Sequence, residues 1–160
     1  MKSLLLLAVA GLLTACQTPR TFPTPTPQWK ISVGQLKYEA GKRTLIGEVA
    51  ISRLGPDFQL EFAKGAGFPL LKLWISAESA RAEGPLARGS WQGSPSAAPA
   101  RLRHWLRLPK TFAAADAGRR SWIAESGDFS SQIAYSGSRP SLIRVSGKDP
   151  NEFYLFQLSR

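Results

Sequence analysis

Two side chains of reactive type occur only once in this sequence: Cys16 is its single thiol and His104 its single imidazole. One thiol excludes a disulfide framework within the chain and any zinc site built on several cysteines. One imidazole excludes a multi-histidine metal centre. His104 stands between Arg103 and Trp105. A general base needs a partner to orient it and a group to act on, and no motif around His104 supplies either. The expectation is a surface histidine on a basic helix. The serines around Ser126, Ser130 and Ser131 lack the G-x-S-x-G setting of a nucleophile elbow. The 11 carboxylates are scattered, and no phosphate loop, dinucleotide fingerprint, calcium loop or H-E-x-x-H motif occurs. The chain therefore reads as a non-enzyme with no cofactor and no metal. A hydrolase using His104 would need an acid and a nucleophile assembled from distant segments.

Cys16 has a more informative setting. Residues 1–16 read MKSLLLLAVAGLLTAC: a positive start at Lys2, an apolar stretch, then small residues before the cysteine. This is the pattern of a secretory signal peptide, too short to span a bilayer as a helix. Its end, Leu13-Thr14-Ala15-Cys16, resembles the bacterial lipobox. That resemblance implies cleavage after residue 15, diacylation of the Cys16 thiol and acylation of the new amino group. Three acyl chains at ~0.8 kcal/mol per buried CH₂ would make attachment essentially permanent. Gln17, where an Asp would resemble an inner-membrane retention signal, resembles sorting to the outer membrane. The expected location is the periplasmic face of a bacterial outer membrane.

The positioning elements follow. At 160 residues the chain holds one domain, and 43% apolar with 20% charged residues is a globular composition. Losing Lys2 with the leader reduces 21 basic residues to 20, against 11 acidic ones, a balance of +9. In the periplasm such a surface suits anionic headgroups or glycans rather than nucleic acid. Residues 17–28, QTPRTFPTPTPQ, contain four prolines and read with Cys16 as a tether over 16–28. At ~3.1 Å per residue in polyproline II these twelve residues would span roughly 37 Å.

From Trp29 to the end, the pattern is one of short strands and turns, a single domain over 29–160. Trp29-Lys30-Ile31-Ser32-Val33 alternates, and Leu36 and Tyr38 continue on the other parity, which predicts a bulge at Gly34. Residues 44–53 form a second strand, with Leu45, Val49 and Ile51 on one face. Phe58-Gln59-Leu60-Glu61-Phe62 has strict period two. Residues 70–75, apolar on nearly both faces, predict a central strand. Residues 79–83 and 88–92 predict a hairpin. Residues 94–109 predict a basic amphipathic helix, with Pro99 in its first turn and Pro109 as its end. Leu102, Trp105 and Leu106 share its apolar side, and Arg101, Arg103 and Arg107 fall mostly elsewhere. Segments 122–124 with 129–135, and 141–146 with 152–159 around Gly147-Lys148-Asp149-Pro150, predict two further strand pairs. The count is eight to eleven strands and one principal helix. The fold class is mainly β (α+β): a curved antiparallel sheet or incomplete β-barrel, with a short helix covering an apolar cavity.

Several pieces occur in a telling order: lipobox and linker, then FQLEFAKGAGFPLLKLWI, then LRHWLRLP, then Pro140 before LIRVS, and EFYLFQLS. In this order the chain resembles the LolB/LolA-type outer-membrane lipoprotein-localisation proteins over roughly residues 29–158. The resemblance implies an incomplete barrel closed by helices, whose apolar cavity takes lipoprotein acyl chains, and a LolA-like periplasmic carrier as donor. It implies cavity walls drawn from Phe58, Leu60, Phe62, Leu71, Leu73 and Ile75, with Leu102, Trp105 and Leu106 from the cover. It also places Phe68, in the loop between the third and fourth strands, as a membrane-inserting residue. Arg101, Arg103 and Arg107 would steer anionic headgroups. The parity that faces inward stays open at this level. The alternative is a non-catalytic structural or protein-interaction lipoprotein of the envelope, with a filled core and a partner on a strand edge or charged patch.

Overall fold

The computed structural model describes residues 22–147 and 152–159. The leader, Cys16 and the first part of the tether lie outside the described residues, as does the 148–150 part of the last turn. Six strands follow one another as a meander: β1 (Lys30–Ala40), β2 (Arg43–Leu54), β3 (Asp57–Lys64), β4 (Phe68–Ile75), β5 (Ala80–Gly84) and β6 (Gly89–Gly93). Four more form a second meander: β7 (Ser121–Ile123), β8 (Phe129–Ser136), β9 (Arg139–Gly147) and β10 (Glu152–Leu158). β1 pairs with β10 and joins the two into one sheet, in the order β6-β5-β4-β3-β2-β1-β10-β9-β8-β7, antiparallel throughout. The sheet is curved and does not close, since β6 and β7 remain edges.

That topology dictates where the helical segment goes. The chain must travel from edge strand β6 to edge strand β7, so the connection spans the mouth of the curved sheet. It contains a 3₁₀ turn at Pro95–Ala97, helix α1 (Ala100–Arg103), a 3₁₀ turn at Trp105–Arg107 and helix α2 (Leu108–Asp116). Leu102, Trp105, Leu108 and Phe112 are all buried and recur at intervals of three or four, the apolar stripe of a helix lying on a sheet. The expected single helix ending at Pro109 is corrected. Pro109 sits in the first turn of α2, where the missing N–H has no intrahelical partner to lose. The cover is thus longer than expected and broken into short pieces.

Strand parity is now settled. Leu36 on β1, Val49 and Ile51 on β2, Phe58, Leu60 and Phe62 on β3, and Leu71, Leu73 and Ile75 on β4 face the concave side. Ile133, Ile143, Val145, Tyr154 and Phe156 supply the other half. Each fully buried side chain of this size contributes roughly 1.5–3 kcal/mol. The expected apolarity of β4 on both faces has a local cause. A register shift between Phe62 and Ala63 lets both Leu70 and Leu71 be buried.

The expected bulge at Gly34 is absent. The β1–β2 ladder runs without a shift from Lys30↔Arg53 to Ala40↔Arg43. Ile31 and Val33 simply face outward, 58% and 51% exposed, while Leu36 faces inward. Gly34 has another reason to be glycine: a Cβ there would collide with the Gln157 carbonyl of β10. Gly47 is its counterpart on β2, where a Cβ would collide with the Ala63 carbonyl of β3. The two glycines permit neighbouring backbones to close in where the sheet bends.

Candidate functional site

The concave face and its cover are the candidate site. Leu60, Leu71, Leu102, Leu108 and Phe112 are fully buried, and Trp105 is 1% exposed. At these residues, where the sequence predicts an apolar cavity, the cover packs directly on the concave face. Trp105 is the centre of the packing. It meets Tyr154 edge-on at 4.6 Å between ring centroids, Tyr38 at 5.1 Å and Phe62 at 6.4 Å. Phe112 sits between Phe58 at 5.8 Å and Phe156 at 5.4 Å. All nine expected cavity residues touch this core. Eight are buried, and Leu106 is half-buried against the edge of the cluster.

A polar cluster ties the cover to the sheet beside Trp105. His104 Nδ1 and Glu152 Oε2 are 2.9 Å apart. Glu152 Oε1 accepts from the Tyr154 hydroxyl at 3.0 Å and makes a longer contact with the Tyr38 hydroxyl at 3.4 Å. His104 therefore belongs to a half-buried network rather than the open surface expected for it. The imidazole lies over Gly147, where a Cβ would stand 2.8 Å from its Cε1 atom. The hydrogen bond to His104 leads the effects that hold the Glu152 carboxyl below its ordinary range, with the two tyrosine hydroxyls adding to it. Burial, then the Glu152 charge, pushes Tyr38 up to about 12 and raises Tyr154 well above its ordinary value. These tyrosines are neutral donors at any physiological pH. No serine hydroxyl bonds His104 among the described residues, so the network orients the cover without presenting a nucleophile. Sequence reasoning missed Tyr38, Gly147, Glu152 and Tyr154, which lie 43 or more residues from His104. Only the shared inward parity of Tyr154 and Phe156 hinted at one of them.

Three more ties hold the cover. Arg101 Nε and one terminal nitrogen donate to the Ala87 carbonyl at 3.0 and 2.9 Å. Arg107 pairs with Asp128, and that bond, with the Ser126 hydroxyl, brings the Asp128 carboxyl down to about 2. Asp116 at the end of α2 pairs with Lys30 and lies 3.5 Å from Arg53 Nε. Arg103 donates to the Ala98 carbonyl at 3.3 Å. The three arginines expected to steer headgroups thus also hold backbone carbonyls or a carboxylate, a role their spacing did not signal.

Phe68 stands 62% exposed at the start of β4, in the hairpin between the third and fourth strands. The described part of the tether is not a free spacer. Phe22 lies 6.0 Å from the Trp74 ring on the outer face, and the Gln59 amide donates to the Pro23 carbonyl. Counting from Cys16, this docking point is six residues away, a reach of at most roughly 22 Å. No helix of the described residues is long and apolar enough to cross a membrane. Comparison with protein-family models and with curated proteins found no match to this sequence.

Proposed function

We propose that this protein is a lipid-anchored lipoprotein of the bacterial outer membrane, facing the periplasm, which binds the acyl chains of a lipoprotein or another lipid in the manner of a LolB-like acceptor. The carrying observation is an open half-barrel with a predominantly apolar concave face, covered by one broken helical segment. The segment is held by a few polar ties and by side chains that an acyl chain can replace. Lifting it exposes Leu102, Trp105, Leu108 and Phe112 together with the β3 and β4 walls. An acyl chain entering there restores the lost burial at ~25 cal/mol per Å². Transfer between two such sites needs no external energy source and no catalysis. Phe68 would enter the bilayer beside the acyl anchor on Cys16, with Lys64 in the same hairpin meeting headgroups.

Native mass spectrometry on residues 17–160, purified from a bacterial periplasm, tests this reading. These residues carry every contact described above. Near-stoichiometric acyl lipid, or uptake of oleate or a triacylated peptide by the empty protein, is the expected result. A protein that stays empty after both incubations overturns it. The filled concave face favours a second reading in that event, a non-catalytic interaction lipoprotein of the envelope.

A further inference from the structure

The outer face of β1, β2 and β3 does not look like the solvent side of a sheet. Ile31 and Val33 on β1 and Ile46 on β2 are 58%, 51% and 55% exposed. The register sets Val33 opposite Ala50, and Ala50 opposite Glu61. Beside this row lies a groove of about 520 Å³, lined by Val33, Gln35, Glu48, Ala50, Glu61 and Ala63 among others. Its lining holds two carboxylates and no basic residue, in a chain of net charge +10. Glu48 has no cationic partner among the described residues. Glu61 has only Lys72 at 3.8 Å, with both side chains well exposed.

We propose that this groove docks a cationic amphipathic helix of another protein, apolar on one side and rich in lysine or arginine on the other. Charge and shape select this occupant. The carboxylates repel anionic headgroups, so a bacterial membrane surface fits the face poorly. The groove lies on a sheet face away from the edge strands, so an added β-strand finds no free ladder there. A second copy of this chain also fits poorly. Of its basic helical residues, Arg101, Arg103 and Arg107 already hold Ala87, Ala98 and Asp128, which leaves only Lys110 without a partner among the described residues. Val33, Ala50 and neighbouring Ile31 supply the apolar contact area, and Glu48 and Glu61 set the orientation and the on-rate. The inference stands apart from the acyl-chain reading, because the groove is on the opposite face of the sheet.

The test uses residues 17–160 and two labelled synthetic helices, one of leucine and lysine and one of leucine and glutamate, followed by fluorescence anisotropy. The lysine helix should bind and the glutamate helix should not. The double variant Glu48→Lys with Glu61→Lys should weaken binding at least ten-fold, while Glu125→Lys, an exposed change in the β7–β8 turn, should leave it within two-fold. Val33→Thr, which removes apolar contact without adding charge, should also weaken it without changing the circular dichroism spectrum. Equal loss in the Glu125→Lys control would reduce the effect to net charge and overturn the proposal. Absence of binding by the lysine helix would do the same. Self-association in sedimentation, abolished by the Glu48/Glu61 pair, would put a second copy on this face instead and also overturn it.

Discussion

The two faces of one sheet treat apolar residues differently. On β3 the pattern is simple: Phe58, Leu60 and Phe62 are buried, and Gln59, Glu61 and Ala63 face out. On β1, two strands away, Leu36 is buried, yet Ile31 and Val33 face solvent. Apolarity on β3 therefore reports the core. On β1 it reports two surfaces at once, one covered by the chain's own helical segment and one left open. A residue's hydrophobicity says that it will be covered if something is there, and topology decides whether that something belongs to the same chain.

The sharpest way to break this distinction is at its covered side. Trp105→Ala removes the indole that packs against Tyr38, Phe62 and Tyr154. It should cost about 3–5 kcal/mol, read as a loss of chemical-denaturation midpoint without a change in slope. A loss below 1 kcal/mol would mean that the cover is not packed as described, and that the concave face is empty in solution.

Gly34→Ala probes the seam between the faces. The added methyl has only backbone to push against, the Gln157 carbonyl, so β10 must shift. The expected loss is about 3 kcal/mol, at the upper end of over-packing. Gly47→Ala should behave alike against Ala63. Thermal unfolding of both variants, compared with an alanine at exposed Ser138, measures it.

Much of this architecture was legible because it rests on local signals. Period two fixed β3. Turn residues placed the hairpins, and the Leu102–Trp105 spacing placed the cover. What could not be read depends on backbone neighbours far along the chain. The parity change at Gly34 mimics a bulge because its true constraint, Gln157, is 123 residues away. Pro109 reads as a helix stop in sequence because sequence alone does not say which turn of a helix a proline occupies. The Glu152 network was invisible because β1, β10 and the cover meet only after folding. How closely the cover packs was not legible either, because the burial of Trp105, Leu108 and Phe112 depends on strands that meet them only after folding.

A smaller effect sharpens the comparison at the polar tie. The Glu152 carboxyl titrates lower in the folded protein than its ordinary value of 4.5. Its contribution is complete above that value and is lost as pH falls through the lowered folded value. Glu152→Gln keeps the shape and removes the charge. It should cost about 1–2 kcal/mol at pH 7 and flatten the fall in stability below pH 4.5. Urea unfolding at pH 7 and at pH 3 reads both effects. An unchanged acid slope would place the pH dependence in the Arg107–Asp128 pair instead, where the carboxyl is also held low.

The smallest expected effect carries the most weight for the open face. Ile31→Thr and Val33→Thr keep β-branching and remove only apolar surface that the fold leaves uncovered. Each should change stability by less than about 0.5 kcal/mol. Leu36→Thr, three and five residues along the same strand, should cost several times that, because the leucine methyls are fully buried. If the outward pair proved as costly as Leu36, the face would already be covered within the chain and no partner would be needed. If the pair is neutral, apolar side chains that stability does not require have been retained at the surface, and the reason for them lies outside this chain.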